Sequence, residues 1–261
     1  MTAGARWRSL RSSQQLPTYI AIAAIAIGII VLAIRHHALS SQGVIFFAVF
    51  VPAVILHEVS HGVVALWLGD DTAKRARRLT LNPFRHVDPF GSVVLPVILA
   101  VIPPHAVFGW AKPVPVAVNR LRHPRNDSVL VSLAGPATNI ILAGLAGLGF
   151  HELILHVWLP PAPVCSFSTC YFDPGSFALV EQIVLDFGFV NVLLAAFNLI
   201  PIPPLDGSAL VERLLPLSAL PGYYRIRMGF LALVLLLVFF DQGLLSRFLG
   251  DIQNWYFNLI F

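Results

Sequence analysis

Two histidines and a glutamate stand together in an otherwise apolar stretch, as His57-Glu58-Val59-Ser60-His61. Residues four apart share one face of a helix, so this spacing lets both imidazoles reach a single Zn2+. Glu58 then sits about 100° round the same helix, where it can approach a water held by the metal. A metal lowers the pKa of such a water to about 7, and a carboxylate beside it can take the proton and pass it to a leaving amine. The chemistry implied is amide hydrolysis. The setting strengthens the reading, because Val51, Val54, Ile55 and Leu56 precede the motif and Val63, Val64, Ala65 and Leu66 follow it. An ionisable group at the centre of a membrane span costs at least about 2.5 kcal/mol, so it marks function by default.

A catalytic zinc site needs a third protein ligand and one open position. Asp206 is one candidate, in the stretch from Asn198 to Gly207, where prolines and glycine interrupt a helix at membrane depth. Non-helical backbone at that depth is tolerated where it is buried in protein or lines a cavity. His86 and Asp88 are the alternative, in the Asn82 to Pro89 stretch. Intramembrane His and Asp residues also serve ion transport, but that function asks for a relay of ionisable groups along another span. Glu58 separates the two classes, since a protease needs it for turnover and not for metal binding.

The elements that must position these residues are membrane helices. The chain of 261 residues is 57% hydrophobic and 11% charged, with a mean hydropathy of +0.79, which is the composition of a protein that lives in lipid. Apolar runs cover about 19–34, 44–68, 92–107, 129–150, 177–200 and 227–240. The run at 92–107 is short and carries Pro96, Pro103 and Pro104, so it reads as re-entrant or distorted. His57 lies 13 residues from Val44 and 11 from Leu68, about 20 Å and about 16 Å along a helix axis, which sets the metal below the membrane surface. The sequence thus predicts an all-α polytopic membrane protein, a single domain over 1–261. It has about six transmembrane helices, with a re-entrant or irregular segment around 80–116.

Lys and Arg set the orientation. They crowd residues 1–17, 70–91, 109–127 and 201–227, whereas 151–176 has none and 35–43 has only Arg35. The N-terminus and the Asp206 loop therefore fall on the cytoplasmic side. Although the net charge is +4, the basic residues are scattered through short loops and form no stripe for nucleic acid. Cys165 and Cys170 share the outer loop that lacks Lys and Arg, where an oxidising compartment would permit a disulfide. Residues 244–261 are apolar and end in Asn254-Trp255-Tyr256-Phe257, a pattern that suits either a further span or a helix lying along the interface.

Three separated pieces together resemble the site-2 protease family of intramembrane zinc metalloproteases. They are the H-E-x-x-H at His57 to His61, the Gly135-Pro136-Ala137-Thr138-Asn139 segment, and the N-x-x-P-x-P-x-L-D-G stretch from Asn198 to Gly207. The stretches from Asn82 to Gly91 and from Phe108 to Val116 look like family members without a PDZ or other inserted soluble domain. The resemblance implies a three-helix catalytic core within about 44–210, with the helices at 19–34 and 227–261 peripheral. It favours Asp206 over His86 as third ligand of one Zn2+ per chain, and makes Asn139 and Asn198 candidates for positioning the substrate. It further implies regulated cleavage of a single-span membrane protein in or beside the bilayer, in a bacterial plasma membrane.

Overall fold

The computed structural model describes residues 41–88, 90–91, 111–156, 165–166, 169–170, 179–225, 229 and 242–260. The expected spans at 19–34, 92–107 and 227–240 lie outside them, apart from residue 229. Ile45–Phe261 form one compact unit. In chain order its elements are α1 (Ser41–Trp67), a single helical turn α2 (Thr72–Arg75), 3-10 turns at Pro83–Arg85 and Val118–Arg120, and α3 (Pro124–His156). There follow the two-residue strands β1 (Cys165–Ser166) and β2 (Thr169–Cys170), then α4 (Leu179–Asn198), α5 (Ser208–Leu214) and α6 (Gln242–Ile260).

Three described helices are long and apolar enough to cross a membrane: Ile45–Trp67, Pro124–Glu152 and Leu179–Asn198. They are the expected three-helix core. Large apolar residues on their outer faces, among them Ile140, Ile141, Leu145 and Leu148 of α3, are exposed, as lipid-facing side chains must be. Helices in lipid gain nothing from burying apolar surface against each other, so close packing and interhelical hydrogen bonds must hold them. Small residues accordingly sit at the contacts. Ala53 of α1 packs with Val49 against Val190 of α4, and Ala65 packs with Leu121 against Val131 of α3. These pairings make α1 antiparallel to α3 and parallel to α4, with α3 in extensive contact with α4.

The C-terminal segment forms helix α6, which packs on α4. Phe248 packs edge-on against Phe197 with ring centroids 5.3 Å apart, while Tyr256 joins Phe150, Leu185 and Phe189 at the opposite end of α4. The helix therefore runs antiparallel along α4, and its 19 residues extend about 28 Å. Gly188 makes the approach feasible, because a Cβ there would fall 2.7 Å from Tyr256 Cζ.

The irregular segment expected around 80–116 is irregular where it is described. Residues 111–117 take no regular secondary structure and lie against α1, with Val116 packed on the cluster that holds Ala65. Lys112 N–H donates to the His86 carbonyl at 2.8 Å and Arg122 N–H to the Leu68 carbonyl at 3.0 Å, while Arg78 Nη2 donates to the Lys112 carbonyl at 2.6 Å. Asp70, fully buried just beyond α1, ties the two together by accepting Ala117 N–H at 2.6 Å and Thr72 N–H at 3.0 Å. Burial pushes its carboxyl up, but the Thr72 hydroxyl and the Ala117 and Thr72 amides, helped by Arg120, outweigh that and hold it below the usual carboxylate range. Between the long helices, β1 and β2 pair antiparallel with Cys165 opposite Cys170.

Candidate metal centre

His57 and His61 project from one face of α1, with ring centroids 4.7 Å apart and both residues buried, 6% and 8% exposed. Asp206 reaches them from the turn after α4. That turn closes on itself through Gly207 N–H donating to the Asn198 carbonyl at 2.6 Å, which carries the carboxylate back toward the helices. Asp206 Oδ2 lies 3.1 Å from His57 Nε2 and 3.4 Å from His61 Nε2, and the two Nε2 atoms are 3.1 Å apart. A tetrahedral zinc with bonds of about 2.0–2.1 Å would set neighbouring ligand atoms about 3.3 Å apart. The triangle has the right size.

The hydrogen bonds behind the rings decide what the three atoms offer. His61 Nδ1 lies 2.6 Å from the Val131 carbonyl, which can only accept, so Nδ1 carries a proton and, in the neutral ring, Nε2 is bare. His57 Nδ1 is 2.8 Å from Asn139 Oδ1 and donates to it, so the neutral ring leaves its Nε2 bare as well. Two neutral imidazoles thus turn lone pairs toward Asp206 Oδ2, which is buried. Two lone pairs and a carboxylate oxygen then converge, an arrangement relieved by a metal cation at the centre or by a second proton on one ring. The residues fit Zn2+, and among the described residues theirs is the cluster able to hold a metal.

Helix α3 closes the back of the site. A Cβ on Gly135 would fall 2.5 Å from both His57 Cε1 and His61 Nε2, so only glycine lets α3 come this near. Pro136 follows inside the helix, fully buried; lacking an N–H, it cannot donate to the Ser132 carbonyl four residues back. Asn139, one turn on, is buried completely and passes the contact to α4, donating from Nδ2 to Asn191 Oδ1 at 3.1 Å.

Glu58 is half-buried, and its Oε2 accepts Val114 N–H at 2.8 Å. The 111–117 segment thus lies directly beside the carboxylate. Asn198 is part-buried and donates from Nδ2 to the Leu194 carbonyl at 3.0 Å, at the mouth of the turn that bears Asp206. The alternative ligands stand apart from the cluster. His86 has its Nε2 2.9 Å from the Thr80 carbonyl, and Asp88 Oδ1 accepts the Phe90 and Gly91 amides at 3.0 and 2.7 Å. Sequence reasoning missed Asn191 and Val114. A lone amide in an apolar span was a usable signal for the first, whereas no pattern marks a backbone N–H.

Comparison with known proteins agrees with this geometry. Residues 163–240, which include Asp206, match the model of peptidase family M50. "Putative zinc metalloprotease YwhC" of Bacillus subtilis (strain 168) is 41% identical over 161 residues, 62% of this chain and 64% of that protein. The matched region thus spans a little under two thirds of that relative. "Putative zinc metalloprotease Rip2" of Mycolicibacterium smegmatis is 28% identical over 216 residues, 82% of this chain and 73% of that one. Its counterpart in Mycobacterium tuberculosis H37Rv is 29% identical over 83% of this chain and 74% of that one. No solved structure matches the chain. With its membrane helices and its His-His-Asp cluster, the chain is similar to proteins named as zinc metalloproteases and matches peptidase family M50 over residues 163–240.

Proposed function

We propose that this protein is an intramembrane zinc metalloprotease that hydrolyses peptide bonds in or near the transmembrane segment of a single-span membrane protein, as a step of regulated intramembrane proteolysis. The observation that carries the reading is the convergence of His57 Nε2, His61 Nε2 and Asp206 Oδ2 within 3.4 Å of one another, on the same helix as a carboxylate that is not part of the triangle. His57, His61 and Asp206 hold one zinc. When bound, zinc supplies Lewis acidity, which makes water a nucleophile at neutral pH and polarises the scissile carbonyl.

The chain's own residues do the rest. Glu58 takes the proton of the attacking water and returns it to the leaving amine. Val114 N–H fixes the orientation of that carboxylate from the far side. Asn198 ends α4 at the start of the turn that bears Asp206, and its role is to position a substrate strand. Lys and Arg placement supports a cytoplasmic N-terminus and a catalytic centre toward the cytoplasmic face of a bacterial plasma membrane.

The test pairs two readouts on protein purified in detergent: zinc content and cleavage of a transmembrane model substrate. Glu58→Gln is expected to keep near-stoichiometric zinc and lose cleavage, and Asp206→Ala to lose zinc. A wild type that binds no zinc, or cleavage that survives Glu58→Gln, would sink the mechanism.

A further inference from the structure

The hydrogen bond from His57 does not end at Asn139. Asn139 Nδ2 donates to Asn191 Oδ1 at 3.1 Å, and Asn191 Nδ2 donates to the Phe187 carbonyl at 2.8 Å. Asn139 and Asn191 are both 0% exposed, in the middle of apolar spans where water cannot substitute for a lost partner. The direction of the chain is fixed at its far end. The Phe187 carbonyl can only accept, so the NH2 of Asn191 must face it and Oδ1 must face Asn139. The NH2 of Asn139 then faces Asn191 and its Oδ1 faces His57. Nδ1 of His57 is thereby made a donor, and the bare nitrogen is the one aimed at Asp206. Reversing Asn191 alone would set its oxygen against the Phe187 carbonyl and its NH2 against that of Asn139, and reversing Asn139 alone would set its oxygen against Asn191 Oδ1.

Resting on the zinc-protease reading, we propose that Asn191 is a positioning residue for the metal centre: acting through Asn139, it holds His57 in the tautomer and rotation that present Nε2 to the zinc. His61 needs no such device, because its Nδ1 bonds a main-chain carbonyl directly. The arrangement also links α1, α3 and α4 through one polar line, so the metal ligand on α1 is oriented from α4, the helix that leads into Asp206. Groups that orient a ligating histidine typically change metal affinity by about 10–100-fold when removed.

The experiment measures zinc affinity by competition with a chelator, and the electronic spectrum of the Co2+-substituted protein, in detergent-purified full-length chains. Asn191→Leu is expected to weaken zinc by about 10–100-fold and to shift the cobalt bands. Asn191→Thr is the second variant in case leucine prevents folding. Its hydroxyl can satisfy the Phe187 carbonyl but falls short of Asn139, so the same loss is expected.

Asn139→Asp keeps an acceptor against His57 Nδ1 whatever residue 191 does. It is expected to retain zinc, and adding Asn191→Leu to it should cost no further affinity. A purely structural Asn–Asn contact between helices gives a different pattern, with stability lost in the single variants at position 191 and zinc affinity unmoved. Unchanged affinity in either single variant at position 191, loss of zinc in Asn139→Asp, or an equal loss on top of it overturns the proposal. Wild-type protein that binds no zinc fails the underlying reading instead, and the two failures are distinct.

Discussion

Replacing Gly135 with alanine puts a methyl carbon 2.5 Å from His57 Cε1 and His61 Nε2 and 2.6 Å from His57 Nε2. Ordinary contact begins near 3.4 Å, so the rings or α3 must give way by about 0.9 Å, whereas a metal site tolerates ligand displacements of about 0.2 Å. Neither ring can simply swing aside, since each Nδ1 is tied at 2.6–2.8 Å to α3 itself. Overpacking of this kind costs about 1–3 kcal/mol. If the strain is relieved at the site, zinc binding falls by about 5- to 150-fold, because each 1.4 kcal/mol is a factor of ten. The assay is chelator competition on purified protein, with Gly144→Ala as control on the same helix, where a Cβ meets nothing within 4 Å. Gly144→Ala is expected to bind zinc like the wild type. Equal zinc affinity in the two alanine variants would refute the close approach of α3 and with it the account of why glycine occupies position 135.

Other outcomes follow from groups outside the site. The depressed carboxyl of Asp70 contributes stability that is present above its unfolded pKa of about 3.9 and lost as pH falls through the lower folded value. Asp70→Asn should therefore be less stable than the wild type at pH 7 by about 1–3 kcal/mol and should lack that part of the acid-side decline, read from thermal unfolding between pH 3 and pH 7. The Tyr256 hydroxyl is buried without a partner, so Tyr256→Phe should leave the unfolding midpoint unchanged or raise it. Tyr256→Ala, emptying the cluster of Phe150, Leu185 and Phe189, should lower stability by about 3–5 kcal/mol as large aromatic truncations do. The register of Cys165 opposite Cys170 sets the Cα atoms of an antiparallel pair about 4.5–5.5 Å apart, inside the span a disulfide closes. Mass spectrometry after alkylation should find both thiols protected until the protein is reduced; alkylation of unreduced protein at either cysteine refutes the bridge.

How far the sequence reached depended on whether a feature was written as a local pattern. His57 and His61 were legible because a shared helical face needs only a spacing of four, and their apolar surroundings gave the motif its weight. Asp206 was not separable from His86 on residue type alone; the resemblance favoured it, and the turn that closes on the Asn198 carbonyl is what carries it to the histidines. Asn139 was a candidate for positioning the substrate through the resemblance alone, since a polar residue in an apolar helix signals function without saying toward what. The structure gives both ends of its amide to His57 and Asn191 and leaves nothing of it exposed. The course of α6 was illegible for a related reason. Its apolar stripe would suit an interface or a helix flank equally, and only Gly188, a missing side chain on a different helix, makes room for Tyr256. Features held by pairs distant in sequence need both partners placed before either can be read. The polar line from Phe187 to His57 belongs to that class. Its register joins α4, α3 and α1 at one level of the bundle, so any slip of α4 against α3 would break the amide contact and turn the histidine together.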